Sequence, residues 1–140
     1  MDATWALALA VMLHAGFQLT VTVLVYPALA RVPAADWAPA HARHSRAITP
    51  LVALCYGALA GTAIWALLAA PRSPALVVTL ACVLGSVLAT ATGAAPTHGR
   101  LGRSGPTPAL LRRLLLADRV RAAFAVGAAA AALVAVTGLG

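Results

Sequence analysis

The chain has 140 residues, of which 62% are hydrophobic and 9% charged, against roughly 45–50% apolar and roughly 25% charged in ordinary soluble domains. This balance excludes a water-soluble globular fold. The net charge of +7 comes from ten Arg against three Asp, with no Lys or Glu; these arginines flank apolar stretches, where membrane topology accounts for them, and a nucleic-acid partner is not expected.

A membrane span needs about 20 mostly apolar residues. The first such window runs from Trp5 to Ala30. Ala28-Leu29-Ala30 resembles a small-residue cleavage site, but Met1-Asp2-Ala3-Thr4 lacks a positive n-region and the apolar run carries His14 and Gln18. The segment therefore reads as a retained first helix. Pro27 and Pro33 mark its end. Residues 36–45 follow as an amphipathic helix at the membrane interface: Asp36 stands as an N-cap, and Trp37, His41 and His44 recur at helical spacing. Pro39 falls in the first turn, where its missing N–H costs little, and Trp37 sits at the depth of the aromatic belt. This helix is expected to run into the second span, Leu51 to Ala70, with a kink at Pro50.

Gly57 and Gly61 form a small-x-x-x-small pattern in span two that permits close helix contact in lipid. Pro71-Arg72-Ser73-Pro74 leaves room only for a tight hairpin before span three, Ala75 to Ala95. The breakers from Pro96 to Pro108 separate it from span four, about Leu114 to Leu139, whose run Gly127 to Ala132 also permits close contact. Cys55 and Cys82 lie inside apolar segments, behave as small hydrophobes and say little about redox compartment. The expected fold is a single all-α integral membrane domain: a four-transmembrane-helix bundle with an amphipathic interfacial helix before the second span.

Nine of the ten arginines (Arg31, Arg43, Arg46, Arg100, Arg103, Arg112, Arg113, Arg119, Arg121) fall on the side of the two long connections, and only Arg72 on the other. The positive-inside rule then places both long loops in the cytoplasm and both termini outside, in the cell membrane. Lipid is the first partner, and the small-residue faces allow a homo-oligomer.

His14, Gln18, Thr22 and Tyr26 are spaced four apart, so each step drifts by about 40° and the four make one slanting polar seam on span one. Facing lipid would leave an imidazole and a carboxamide without partners, so the seam should face the bundle interior. It stands either as a functional surface, the default for an ionisable group in the membrane, or as a hydrogen-bonded helix contact. Thr79, Cys82, Ser86 and Thr90 form a milder seam on span three, where small hydroxyl residues suit helix contacts. His41, His44, His98 and Asp118 gather toward the cytoplasmic ends of their helices and offer a ligand set for copper, iron or zinc. Interfacial histidines touching lipid headgroups explain the same spacing. His14 lies about 18 Å below the level of Tyr26 and does not join that set; it is expected with Gln18 at the floor of a pocket. Asp118 and Arg121 can also pair with each other at i, i+3.

Three stretches carry a family resemblance: Gly16 through Val25-Tyr26-Pro27, Pro96-Thr97-His98-Gly99-Arg100-Leu101, and Asp118-Arg119-Val120-Arg121. They resemble the small four-helix membrane family that includes the anthrone oxygenases, and the likeness extends over most of the chain through its helix order. That family usually has Asn at the positions of His98 and Asp118, so this chain departs at two polar positions. The resemblance implies an oxidoreductase that uses molecular oxygen on a lipophilic aromatic or polyketide-like substrate without an obvious organic cofactor. Independently, the chain contains no dinucleotide fingerprint, P-loop or haem-attachment motif.

One expectation is therefore an enzyme whose lipophilic substrate enters the bundle from the bilayer. His14 or a cytoplasmic-side His would remove a proton, Gln18 and Tyr26 would orient the oxygen function, and Arg100 or Arg121 would stabilise the anion. The alternative is a non-enzymatic protein that handles metal, transports a small solute or serves as an accessory membrane subunit.

Overall fold

A computed structural model of the chain describes residues 2–138, with Met1, Leu139 and Gly140 outside the described set. The expected end of span four at Leu139 thus lies beyond it. Four helices are long and apolar enough to cross a membrane: α1 (Ala3–Ala30), α2 (Trp37–Ala69), α3 (Pro74–Ser104) and α4 (Pro108–Thr137). Their boundaries follow from local chemistry. The Asp2 carboxylate accepts the Thr4 and Trp5 amides at 3.0 Å and starts α1. The Ser73 and Thr107 hydroxyls accept from Leu76 and Leu110, and each is followed by a proline at the first helical turn, where proline costs no hydrogen bond. Gly105 closes α3 at φ 76°, a left-handed value that favours glycine.

Along the bundle, α1 packs against α2 and α4, and α4 packs against α3, whereas α2 and α3 touch sparingly. Two apolar clusters result. One, near the tight hairpin, gathers Leu7, Val11, Leu59, Ala66, Leu76, Val83, Ala128 and Ala132. The other, at the arginine-rich end, gathers Val21, Tyr26, Leu29, Trp37, Leu101 and Leu114. Leu9, Leu13, Leu54, Leu68, Leu84, Leu116 and Leu133 point outward and are exposed, which is the surface expected of a bundle solvated by acyl chains.

The two long inter-helix breaks read from proline are displaced. Pro27 and Pro96 lie inside α1 and α3, not at their ends. Each is preceded by a π-turn, Val21–Val25 and Thr90–Ala94, in which the Tyr26 amide reaches back to the Val21 carbonyl and the Ala95 amide to the Thr90 carbonyl. Such a widened turn shifts the carbonyl that the proline ring would otherwise strike and tolerates the absent proline N–H. The helix leading into span two likewise runs unbroken from Trp37 through Pro50 to Ala69. Asp36 occupies its N-cap position without a side-chain capping bond, because a 3-10 turn over Ala34–Asp36 winds directly into the helix.

Small residues serve the α3–α4 contact. A Cβ on Gly85 would stand 2.6 Å from the Phe124 ring, and one on Gly127 would stand 3.3 Å from Cys82 Sγ. Gly57 and Gly61, by contrast, have no atom within 4 Å of such a Cβ and face out of the bundle. Gly85→Ala is therefore expected to destabilise the detergent-solubilised protein by about 1–3 kcal/mol, and by less in a Phe124→Ala background. Gly57→Ala serves as the control that does not lower the thermal midpoint, since its Cβ meets nothing and alanine favours the helix, all read by loss of helical circular dichroism.

Candidate functional site

A buried polar network joins α1 to α4 between the two apolar clusters. Gln18 is fully buried, Asp118 is 1% exposed and Arg121 is 5% exposed. The Gln18 amide nitrogen donates to Asp118 Oδ1 at 2.7 Å, while its carbonyl accepts from Arg121 Nη2 at 2.6 Å and Nε at 3.2 Å. Arg121 and Asp118 themselves stand 3.6 Å apart, one turn from each other on α4. The expected i, i+3 pair is thus present, with Gln18 bridging it. Thr22 donates back to the Gln18 backbone carbonyl at 2.9 Å, and its hydroxyl oxygen lies 3.4 Å from the Gln18 amide nitrogen at the edge of the same network.

Gln18 and Tyr26 are eight positions apart, which in an unbroken α-helix would set them about 80° apart around the axis. The intervening π-turn absorbs one residue and reduces this to about 20°. The seam on α1 is therefore straighter than even spacing implies, and Tyr26 returns to the interior face. There its hydroxyl meets His98 Nε2 at 2.9 Å, and His98 Nδ1 meets His41 Nε2 at 3.2 Å. The His44 ring stacks on His98 with centroids 5.7 Å apart, and its Nε2 has no partner. Trp37 stacks on His41 and donates its indole N–H to the Leu101 carbonyl at 3.1 Å. It is a buried wall of this cluster instead of a lipid-facing belt residue, because its polar edge finds an acceptor inside.

A cavity of about 510 Å³ opens beside the cluster. Its back wall comes from Phe17, Val21 and Tyr26 of α1 and Arg121 of α4; its sides come from Ile48 and Val52 of α2 and from Ala95, His98 and Gly99 of α3. Most of the lining surface is apolar, with a small number of polar groups contributed by all four helices, the usual construction of a site for a small organic molecule.

The proposed sites from sequence sort unevenly against this geometry. Tyr26, His41, His98 and Arg121 line the cavity together. Gln18 stands behind Arg121 and holds it. Arg100 is exposed and does not line the cavity, whereas Arg103, one turn beyond Gly99, does. His14 does not form the cavity floor: it lies edge-on against Tyr56 at 5.2 Å, and its Nε2 has no partner. The metal set His41, His44, His98 and Asp118 does not converge on one point. Both His98 nitrogens are committed and Asp118 is bound to Gln18, so these residues do not fit a single coordination shell. Among the described residues no three His, Cys, Asp or Glu side chains form a group that could hold a metal ion.

Tyr56 is a neighbour of the site that spacing did not single out. Its hydroxyl bonds Thr90 Oγ1 at 2.6 Å and approaches Ser86 Oγ at 3.5 Å, tying α2 to α3 below the cavity. The signal for it was its chemistry: a phenol within an otherwise apolar span needs an internal partner.

No family model, curated protein or solved structure matches the chain.

Replacing Asp118 tests the buried bridge. Asp118→Asn keeps an acceptor for the Gln18 amide, whereas Asp118→Leu removes the 2.7 Å acceptor of that amide and leaves Arg121 only its bonds to the Gln18 carbonyl. The Asn variant is expected to be more stable than the Leu variant by about 1–3 kcal/mol, measured as the difference in unfolding free energy in detergent.

Proposed function

We propose that the protein is a small membrane oxidoreductase that uses molecular oxygen on a lipophilic aromatic substrate held in the cavity beside Tyr26, His98 and Arg121. The observation that carries this reading is the hydrogen-bonded series Tyr26–His98–His41 ending in an otherwise apolar cavity with a guanidinium on its back wall. The resemblance of the Tyr26, His98 and Arg121 segments to the anthrone oxygenase family supports it.

The chemistry uses the cavity's own groups. With Tyr26 donating to His98 Nε2, the Nδ1 hydrogen of His98 points to His41 Nε2, a consistent set of tautomers. A substrate methylene between aromatic rings, acidified by a neighbouring carbonyl, gives its proton to the Tyr26 oxygen as the Tyr26 proton passes to His98. Arg121 stabilises the enolate oxygen that forms. The electron-rich carbon then reacts with oxygen directly: CH2 plus O2 gives C=O plus H2O, a four-electron oxidation in which one oxygen atom enters the product and the other leaves as water, taking up the proton held by the relay. In the cell membrane the arginine-rich end faces the cytoplasm and the termini face outward.

Two measurements test this. Oxygen uptake by the protein in liposomes with 1,8-dihydroxyanthrone should exceed that of empty liposomes. It should fall by about 10²-fold or more in His98→Asn and Tyr26→Phe at unchanged helicity, and EDTA should leave it unaltered. A rate insensitive to both substitutions would remove the relay from the mechanism, and a rate abolished by EDTA would favour a metal-handling protein. For orientation, single cysteines at Ser73 and Ser104 should react with an impermeant maleimide from outside and inside the cell, respectively; labelling of the Ser104 position from outside would reverse the topology.

A further inference from the structure

The cavity is bounded laterally by two helical stripes that face each other without interlocking. On α2 these are Ser45, Ile48, Thr49 and Val52, and on α3 they are Ala95, His98, Gly99 and Gly102. Both follow the i, i+3, i+4, i+7 spacing of one helix face. A stripe with this spacing ordinarily packs into its neighbour. Here the α3 stripe is Ala and Gly at three of four positions, so there is little to fill the grooves of α2, and the helices scarcely touch. The exposed lining residues are Thr49 on α2 and Ala95, Gly102 and Arg103 on α3, while those from α1 and α4 are buried or half-buried. The cavity is thus open between α2 and α3 and closed behind. At its foot the opening is bounded by the Tyr56–Thr90 hydrogen bond.

The depth of this opening is informative. Exposed Arg46 and Arg100 lie on the polar side of Thr49 and Ala95, roughly 4–8 Å along their helices, and Ser45, Gly102 and Arg103 of the lining lie at or past that level. Val52, Thr90 and Ala94, deeper in the lining, lie within the apolar spans. The mouth therefore spans the arginine level, from Gly102 and Arg103 on its polar side to Thr49 and Ala95 on its apolar side, and so covers the boundary between headgroups and acyl chains. Its outer lining is small and neutral at Thr49 and Ala95 and carries Arg103 at the polar end, and its inner wall carries Tyr26, His98 and Arg121.

We infer that the cavity is loaded sideways from the bilayer, through the gap between α2 and α3 at Thr49 and Ala95, by a flat amphiphilic aromatic molecule whose ionisable oxygen faces Arg121 and His98. The inference rests on the function proposed above and adds the route and the orientation. A molecule of this kind partitions to the acyl–headgroup boundary, which is the depth of the mouth. The guanidinium gives its oxygen a partner that the hydrocarbon region lacks. Ala95, Gly99 and Gly102 admit a planar ring edge because they present almost no side chain, so bulk at Ala95 or Thr49 closes the path without touching Tyr26, His98 or Arg121.

The experiment is a stopped-flow measurement of Trp37 quenching, in full-length protein carrying Trp5→Phe and Trp65→Phe, by 1,8-dihydroxyanthraquinone preloaded in liposomes. Trp37 reports on the cavity through its stacking on His41, and Trp5 and Trp65 are exposed outward. Thr49→Phe/Ala95→Phe should slow quenching at least tenfold with the final amplitude retained, and the milder Ala95→Leu should slow it by a smaller factor if the double variant folds poorly. An unchanged rate in these variants, or no quenching in the parent protein, overturns the inference. Oxygen uptake is measured on the same variants. Slowed quenching in a protein that consumes no oxygen leaves the route standing and rejects the oxidase reading, whereas oxygen uptake with unslowed quenching does the reverse.

Discussion

The amide of Gln18 is the interaction on which the rest of this bundle depends. In hydrocarbon a carboxylate and a guanidinium each carry a desolvation penalty of several kcal/mol, repaid only when their lone pairs and protons are matched. Asp118 and Arg121 sit one turn apart on α4 with opposite needs, and a carboxamide is the neutral group that meets both, donating from its nitrogen and accepting on its oxygen. Because Gln18 lies on α1, the satisfied network also fastens α1 to α4. Helix α3 then packs on α4 through Gly85 and Gly127, and α2 packs on α1, so that the weak α2–α3 seam is what remains.

The paired π-turns turn this frame into a site. Both occur one residue before a Tyr26-Pro27 or Ala95-Pro96 step, and both border the cavity through Val21, Tyr26, Thr90, Ala94 and Ala95. Without the extra residue, Tyr26 would rotate away from the interior face that Gln18 occupies. A π-turn costs backbone geometry, and such turns are frequent at functional sites. Here it restores phase on α1 and places the Tyr26 phenol within reach of His98 on the opposite helix.

How much of this was legible follows from which residues report on one element and which on two. Hydropathy and hairpin chemistry placed the four spans, since each depends on its own stretch of chain. The demand that His14, Gln18, Thr22 and Tyr26 avoid lipid also needed no partner to be known, and His14, Gln18 and Tyr26 do turn inward. The prolines misled because Pro27 and Pro96 break a helix only if the preceding turn is α-helical, and nothing in Val21–Val25 or Thr90–Ala94 marks a π-turn in advance. Arg100 and Arg103 were equally plausible on composition. Their sorting depends on the face of α3 that looks toward α2, which follows from packing. Histidine spacing on α2 was read correctly as one face, but it could not show that His98 spends both nitrogens on Tyr26 and His41.

The placement of Arg121 joins the two networks. Its bonds to Gln18 use Nε and Nη2, and a guanidinium has five N–H donors in a fixed plane, so anchoring one edge leaves the Nη1 hydrogens for a ligand and fixes the direction in which they are offered. A donor that is already positioned pays no reorganisation when charge develops on a substrate oxygen, and in a water-poor cavity its effect is larger than in solution. Lysine could not do both tasks in the same way, because its three donors sit on one freely rotating nitrogen and lack the planar fork that holds one edge on Gln18 while aiming the other. On the function proposed above, the buried Gln18 bridge thus does more than hold helices together: it lets a structural ion pair lend half of its cation to the cavity, and the chain can keep a strongly polarising group inside hydrocarbon without leaving it unmatched.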